Sequence, residues 1–168
     1  LTGAITSFTY AANNQITSST TKLGSVTLST SSYQIGVDGQ ARIASQTDTL
    51  TGNVTSFTYA ANNQMTSSKT LNAAGATIST SAYQIGLDGR SQIASQTDTL
   101  TGNVTTFTYN SSNNQLAASQ TKNTAGALLS STAYELGADG QARTATQKDE
   151  LTGAITSFTY AANNQITS

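Results

Sequence analysis

The feature that most constrains this chain is that it repeats itself. The phrase LTGAITSFTYAANNQITS at Leu1 returns as LTGNVTSFTYAANNQMTS at Leu50, as LTGNVTTFTYNSSNNQLAAS at Leu100 and, letter for letter, at Leu151. A second phrase alternates with it: GSVTLSTSSYQIGVDGQARIASQTDT from Gly24, GATISTSAYQIGLDGRSQIASQTDT from Gly75 and GALLSSTAYELGADGQARTATQKDE from Gly126. A period of about fifty residues marks a repeat array, in which each unit is a supersecondary element that leans on its neighbours. The units run over 1–49, 50–99 and 100–150, with a fourth beginning over 151–168.

The distinctive residues keep this register. Tyr10, Tyr33, Tyr59, Tyr83, Tyr109, Tyr134 and Tyr160 fall one to each half-unit, and Phe8, Phe57, Phe107 and Phe158 sit two residues before the Tyr of the first phrase. Every Gly either opens a half or belongs to the turn of the second phrase. No distinctive residue is left over for a unique active site.

Each half reads as a β-hairpin. In ITSFTY, Thr6, Phe8 and Tyr10 alternate with Ile5, Ser7 and Thr9, which places both rings on one face of a strand. The pairs Asn13-Asn14, Asn62-Asn63, Asn113-Asn114 and Asn163-Asn164 supply residues that tolerate positive φ in a tight turn, and so do Asp38-Gly39, Asp88-Gly89 and Asp139-Gly140. Length changes fall at turns and joints, as in NSSNN, so strands hold register while loops absorb insertions. The predicted fold is therefore all-β, a tandem array of stacked hairpins forming a solenoid or fibre. Stacking would align the Tyr side chains as a ladder beside a row of Ile16, Met65, Leu116 and Ile166. Full burial of one ring would contribute at most about 4 to 6 kcal/mol.

Composition closes off several function classes. The net charge is -1, from 7 Lys and Arg against 8 Asp and Glu, so no basic field exists to attract nucleic acid. There is no Cys or His, which removes disulfides, thiolate metal sites and the commonest general base. Without Pro or strong self-repulsion the Ser/Thr-rich chain leans towards strands and strand association rather than disorder. The apolar runs are too short for a membrane-spanning helix.

The spacing in GNVTSFTYAANNQMTS, with an opening Gly, aromatic-x-Tyr, a short turn and then an aliphatic residue, resembles the Rhs/YD repeat of bacterial surface and toxin proteins and of the animal teneurins. The resemblance covers nearly the whole chain and implies β-hairpins wound into a long sheet, often a shell around a cargo. The Asp that typically follows Tyr in that family is Ala11, Ala60, Asn110 or Ala161 in the first phrase and Gln34, Gln84 or Glu135 in the second. The family's turn Gly is matched by Asn14, Asn63, Asn114 and Asn164.

Candidate chemistry reduces to structure. Asp38, Asp88 and Asp139, each with a second Asp ten residues on, could be paired carboxylates or Ca²⁺ ligands, but they repeat in register beside turn glycines and read as turn formers. The Ser and Thr hydroxyls lack a His for a triad and stand in no GxSxG elbow. Asn53, Asn103 and Asn110 stand in N-x-S/T sequons, which carry meaning only where the source glycosylates them. The tyrosines could form a glycan-binding stripe, although stacking is the better use of nearly the only rings available.

The expectation is a structural, non-enzymatic protein without a cofactor, a length of extracellular filament or microbial cell-surface fibre that self-associates through its sheet ends. The alternatives are an Rhs-type shell segment enclosing a toxin and an adhesin stalk contacting glycans. Because the copy at Leu151 matches the first more closely than its neighbours, and the chain opens without Met, the sequence also predicts a longer chain with a higher-order period of three units. It should continue past Ser168 with something close to STTKLGSVTLSTSSYQIG. Intact-mass measurement or long-read sequencing of the source checks this, and a native chain running into an unrelated globular domain would refute it.

Overall fold

A computed structural model describes residues 3–167. Leu1, Thr2 and Ser168, which open the first repeat phrase and close the last, lie outside the described residues. Among the described residues the chain is all-β, with thirteen strands and no helix: β1 Ala4–Tyr10, β2 Ile16–Leu23, β3 Val26–Ile35, β4 Ala41–Asp48, β5 Val54–Tyr59, β6 Met65–Leu71, β7 Thr77–Ile85, β8 Ser91–Asp98, β9 Val104–Tyr109, β10 Leu116–Lys122, β11 Leu128–Leu136, β12 Ala142–Asp149 and β13 Ile155–Ser157. Their order in the sheet is their order in the sequence. Contacts cluster into two compact units, Leu1–Ala82 and Tyr83–Ser168.

The recurring structural element is smaller than the sequence period. Strands of 6 to 10 residues, joined by short turns, follow one another through β12, and about four of them make one sequence period. The fifty-residue unit is thus a period of the sequence and not a separately folded body. Hairpins join edge to edge through main-chain hydrogen bonds, as in Gln46↔Thr55 between β4 and β5 of the first unit and Gln147↔Thr156 between β12 and β13 of the second. Equivalent tyrosines therefore do not lie on adjoining strands. In the first unit Tyr33 faces Ile43 and Tyr59 faces Met65, so the row alternates aromatic and aliphatic side chains. In the second, Tyr109 faces Leu116 and Tyr160 bridges Ile166, which makes the aliphatic row the direct cross-strand partner of the first-phrase tyrosines.

The two-residue alternation of the sequence is visible where a strand has neighbours on both sides. In β5, Thr55, Phe57 and Tyr59 are half-buried while Ser56 and Thr58 are exposed, and β9 repeats the pattern. Nothing apolar is sealed from water: among the described residues no hydrophobic side chain is buried. Among the described residues the buried ones are Ser19 and Ser119, whose hydroxyls lie 3.2 and 3.4 Å from the Tyr33 and Tyr134 hydroxyls.

What the sequence did not display is a β-bulge in most of the hairpins. Between β3 and β4 the pairs step from Ser32↔Ser45 to Tyr33↔Ile43, leaving Ala44 unpaired; between β2 and β3 they step past Leu28, and between β5 and β6 past Thr66. A bulge leaves a carbonyl in need of a donor, and in each case a side chain or loop supplies one. The Tyr59 hydroxyl donates to the Ile43 carbonyl at 2.9 Å, Tyr109 does the same to Ile93, and Tyr160 donates to Thr144 at 2.7 Å. The Thr49 amide donates to the Leu28 carbonyl, and the Thr66 hydroxyl to that of Thr58.

The tyrosines are therefore tied by their hydroxyls as well as by ring area. Tyr59→Phe should cost about 0.5 to 1.5 kcal/mol, the worth of one hydrogen bond. Tyr59→Ala should cost about 2 kcal/mol, less than a fully buried ring because Tyr59 is half-exposed. Tyr10→Phe, at an exposed ring on β1, should cost nothing measurable. Urea titrations of the three variants check this, and equal effects of Tyr59→Phe and Tyr10→Phe would contradict the role given to the hydroxyl.

Candidate functional site

The turns carry the most specific chemistry in the chain. Apart from the longer loop between Asn110 and Gln115, the first- and second-phrase hairpins share one three-residue loop, closed in the first unit by Ala11 N–H to Gln15 C=O at 2.8 Å and Gly36 N–H to Gln40 C=O at 2.9 Å. The last loop residue takes positive φ: 62° at Asn14, 65° at Asn63, 61° at Asn114 and 66° at Asn164, with Gly39, Gly89 and Gly140 at 74 to 76° in the second phrase. The residue before it accepts a hydrogen bond from the amide two positions on, so Asn62 caps Gln64 N–H at 3.2 Å as Asp38 caps Gln40 N–H at 3.1 Å. Asn-Asn and Asp-Gly are thus chemically equivalent dipeptides, one residue capping the turn and the other bending it.

The Asn at the bend does something Gly cannot. Asn63 reaches across to the neighbouring second-phrase turn, where its Oδ1 accepts from Val37 N–H at 3.1 Å. In the second unit Asn114 accepts from Leu87 N–H at 3.1 Å and donates to Asp88 at 3.0 Å, while Asn164 accepts from Arg143 at 2.6 Å. The same contacts explain a second glycine. Gly36, Gly86 and Gly137 do not have positive φ, yet a Cβ on Gly36 would collide with the Asn63 amide and the Arg42 guanidinium, and one on Gly86 with the Asn114 amide. These glycines are needed for space, which is taken at Gly36 and Gly86 by the Asn of the next hairpin and at Gly137 by the Arg143 guanidinium. The result is a latch between adjacent turns, made by Asn63 in the first unit and by Asn114 and Asn164 in the second. Sequence reasoning assigned both residue types to turn geometry; the cross-turn partner was missed because it lies 26 residues away.

The paired carboxylates do not come together. Asp38 lies in the turn before β4 and Asp48 at its end, so the eight residues of β4 hold them roughly 25 Å apart. Each serves its own turn. The Arg42 guanidinium, bound to Asp38 at 2.6 and 2.8 Å, holds that carboxyl down at about 2, and the Gln40 amide adds to the effect. Hydrogen bonds from the Thr51 and Leu50 amides lower Asp48, and the Thr101 and Leu100 amides lower Asp98. Because these folded-state values lie below the unfolded ones, the carboxylates favour the fold above the ordinary Asp range, and that contribution fades as pH falls through the folded value. Among the described residues no group of three or more His, Cys, Asp or Glu could hold a metal ion. One open depression on the sheet is lined by the polar side chains of Gln46, Asp48, Asn53, Thr55 and Thr70.

The ladder rings lie on the odd-numbered strands and on the bridge after β13: Phe8 and Tyr10 on β1, Tyr33 on β3, Phe57 and Tyr59 on β5, Tyr83 on β7, Phe107 and Tyr109 on β9 and Tyr134 on β11. Phe158 and Tyr160 follow β13, where Arg143 lies 4.9 Å from the Tyr160 ring centre.

If the latch holds adjacent turns together, Gly36→Ala and Asn63→Gly should each destabilise by about 1 kcal/mol. The pair should be non-additive, because removing the amide vacates the space the new methyl needs. Denaturant titration of both single variants and the double variant gives the coupling; strict additivity would show that the two positions act separately.

No protein-family description matches the sequence, and no curated protein matches it. Solved structures match the fold. A crystal structure of TcdB2-TccC3-TEV aligns over 96% of this chain with a TM-score of 0.57 at 13% identity, and a Photorhabdus luminescens Tc holotoxin pore aligns over 97% with the same TM-score and identity. At that identity the likeness is one of fold. The chain spans 9% of the length of each of these matched chains.

Proposed function

We propose that this chain is a structural segment, a length of β-hairpin wall in a larger secreted or surface-exposed bacterial protein. The observation that carries the reading is the latched hairpin. One strand-turn unit is repeated with its turns tied to the next, while no side chain is held back for a unique pocket. Such a design extends a surface by adding copies and lets each copy stabilise its neighbour.

Two further observations support a wall of the shell-building kind. The repeats resemble Rhs/YD repeats in their spacing, and the fold matches toxin structures over nearly the whole chain while amounting to a small part of their length. Enclosure of a cargo and secretion belong to this proposal. A fibre is the second reading, favoured by the near identity of successive copies, which suits indefinite growth better than a closed container.

Cryo-electron microscopy of the native, full-length material separates the two. A wall segment is expected to show closed or curved sheets around a separate density. Unbranched filaments with an axial repeat would overturn the shell in favour of the fibre, and a small isolated globule would overturn both.

A further inference from the structure

We propose that Asp88 is a site of spontaneous covalent modification, where the carboxyl condenses with the Gly89 main-chain nitrogen and reopens as isoaspartate ahead of the equivalent turns at Asp38 and Asp139. The inference goes beyond the wall-segment reading and does not rest on it.

The three Asp-Gly turns are near-copies of one another, which isolates what differs between them. In each, the Gly after the Asp has positive φ and no side chain to obstruct ring closure, and a Cβ there would meet nothing within 4 Å. Its amide donates to the carbonyl of the Gly three residues back, at 2.9 Å for Gly39 and Gly140 and 3.0 Å for Gly89. All three Asp-Gly pairs are exposed to water. The nucleophile is therefore the same in all three.

The electrophile is not. Attack on Cγ needs the neutral carboxyl, because a carboxylate repels the incoming nitrogen and has no hydroxyl to release. At Asp38 the Arg42 guanidinium binds the two carboxylate oxygens at 2.8 and 2.6 Å, and at Asp139 the Arg143 guanidinium binds at 3.0 Å. A cation in contact favours the ionised, unreactive form. At Asp88 the place of that arginine is taken by Gln92, and the donors to the carboxylate are the Arg90 main-chain amide at 3.2 Å and the Asn114 side-chain amide at 3.0 Å. Among the described residues no cationic side chain forms an ion pair with Asp88. Neutral donors fix the carboxyl in place without compensating its charge, so the reactive form is more accessible here than at the other two turns.

The chemistry balances with water alone. A bond forms between the Gly89 nitrogen and Asp88 Cγ, the C–OH bond of the protonated carboxyl breaks, and the hydroxyl leaves with the amide proton as water. Water then adds to the Asp88 main-chain carbonyl carbon, whose bond to the Gly89 nitrogen breaks, and the main chain is left running through Cγ. The product places an extra methylene in a three-residue loop and moves the carboxylate that Asn114 holds. One of the two bonds that Asn114 makes across the turns is thereby lost.

The test ages the folded 168-residue chain at neutral pH and physiological temperature and reads isoaspartate at each turn by peptide mapping, with fragmentation that distinguishes the two linkages. Asp88 should convert roughly three- to tenfold faster than Asp38 or Asp139. Gln92→Arg should slow Asp88 to the rate of the other two, and Arg42→Gln should bring Asp38 up to the rate of Asp88. In urea the three rates should converge, because the folded turn and not the neighbouring sequence sets the difference. Equal rates in the folded chain, no isoaspartate at Asp88, indifference to both substitutions, or a lead of Asp88 that persists undiminished in urea would each overturn the proposal.

Discussion

Everything in this structure depends on strands satisfying one another's backbones in sequence. With no apolar side chain buried among the described residues, the hydrophobic term that dominates an ordinary domain is reduced to half-covered rings and aliphatics on the sheet. The main-chain ladder then sets the geometry, and side chains are used where the ladder is interrupted. Tyr hydroxyls meet carbonyls beside bulges, Asp48 caps the amides of Leu50 and Thr51, and Asn amides bridge one turn to the next. A Ser/Thr/Asn-rich composition with little charge suits that task.

A fold of this kind gains stability by adjacency. Asn63 needs the turn at Val37, and Gly36 is glycine because Asn63 is there. Neither residue makes sense inside one hairpin, and both make sense between two. The Arg42–Asp38 pair at 2.6 Å adds a link within a turn, but it is exposed and acts mainly to order the loop. Where the turn of the second phrase carries Gln92 in place of the Arg found at positions 42 and 143, Asn114 binds Asp88 directly. The carboxylate is held either way.

Hairpins and turns were legible because their signals are local. Alternation in ITSFTY placed Phe and Tyr on one face, and β5 and β9 carry that pattern. Asn-Asn and Asp-Gly marked the bends, although only the second residue of each pair takes positive φ. The expectation of equivalent tyrosines stacked as a continuous ladder did not anticipate the edge-to-edge order, in which Ile43 and Met65 stand opposite Tyr33 and Tyr59. The Asp pairs were close in sequence and far apart in space, since a strand of 8 residues separates them by roughly 25 Å.

The sequence by itself determined the strand content, the turn positions and the interchangeability of the copies, because alternation, positive-φ residues and repetition act over a few neighbouring residues. Only the tertiary structure decided the bulges, the partners of the tyrosine hydroxyls and the latch between turns. A bulge is one residue in excess relative to a partner strand, so it does not exist until a register is chosen. The latch joins residues that repetition makes look alike but that only pairing in sheet order brings within hydrogen-bonding distance.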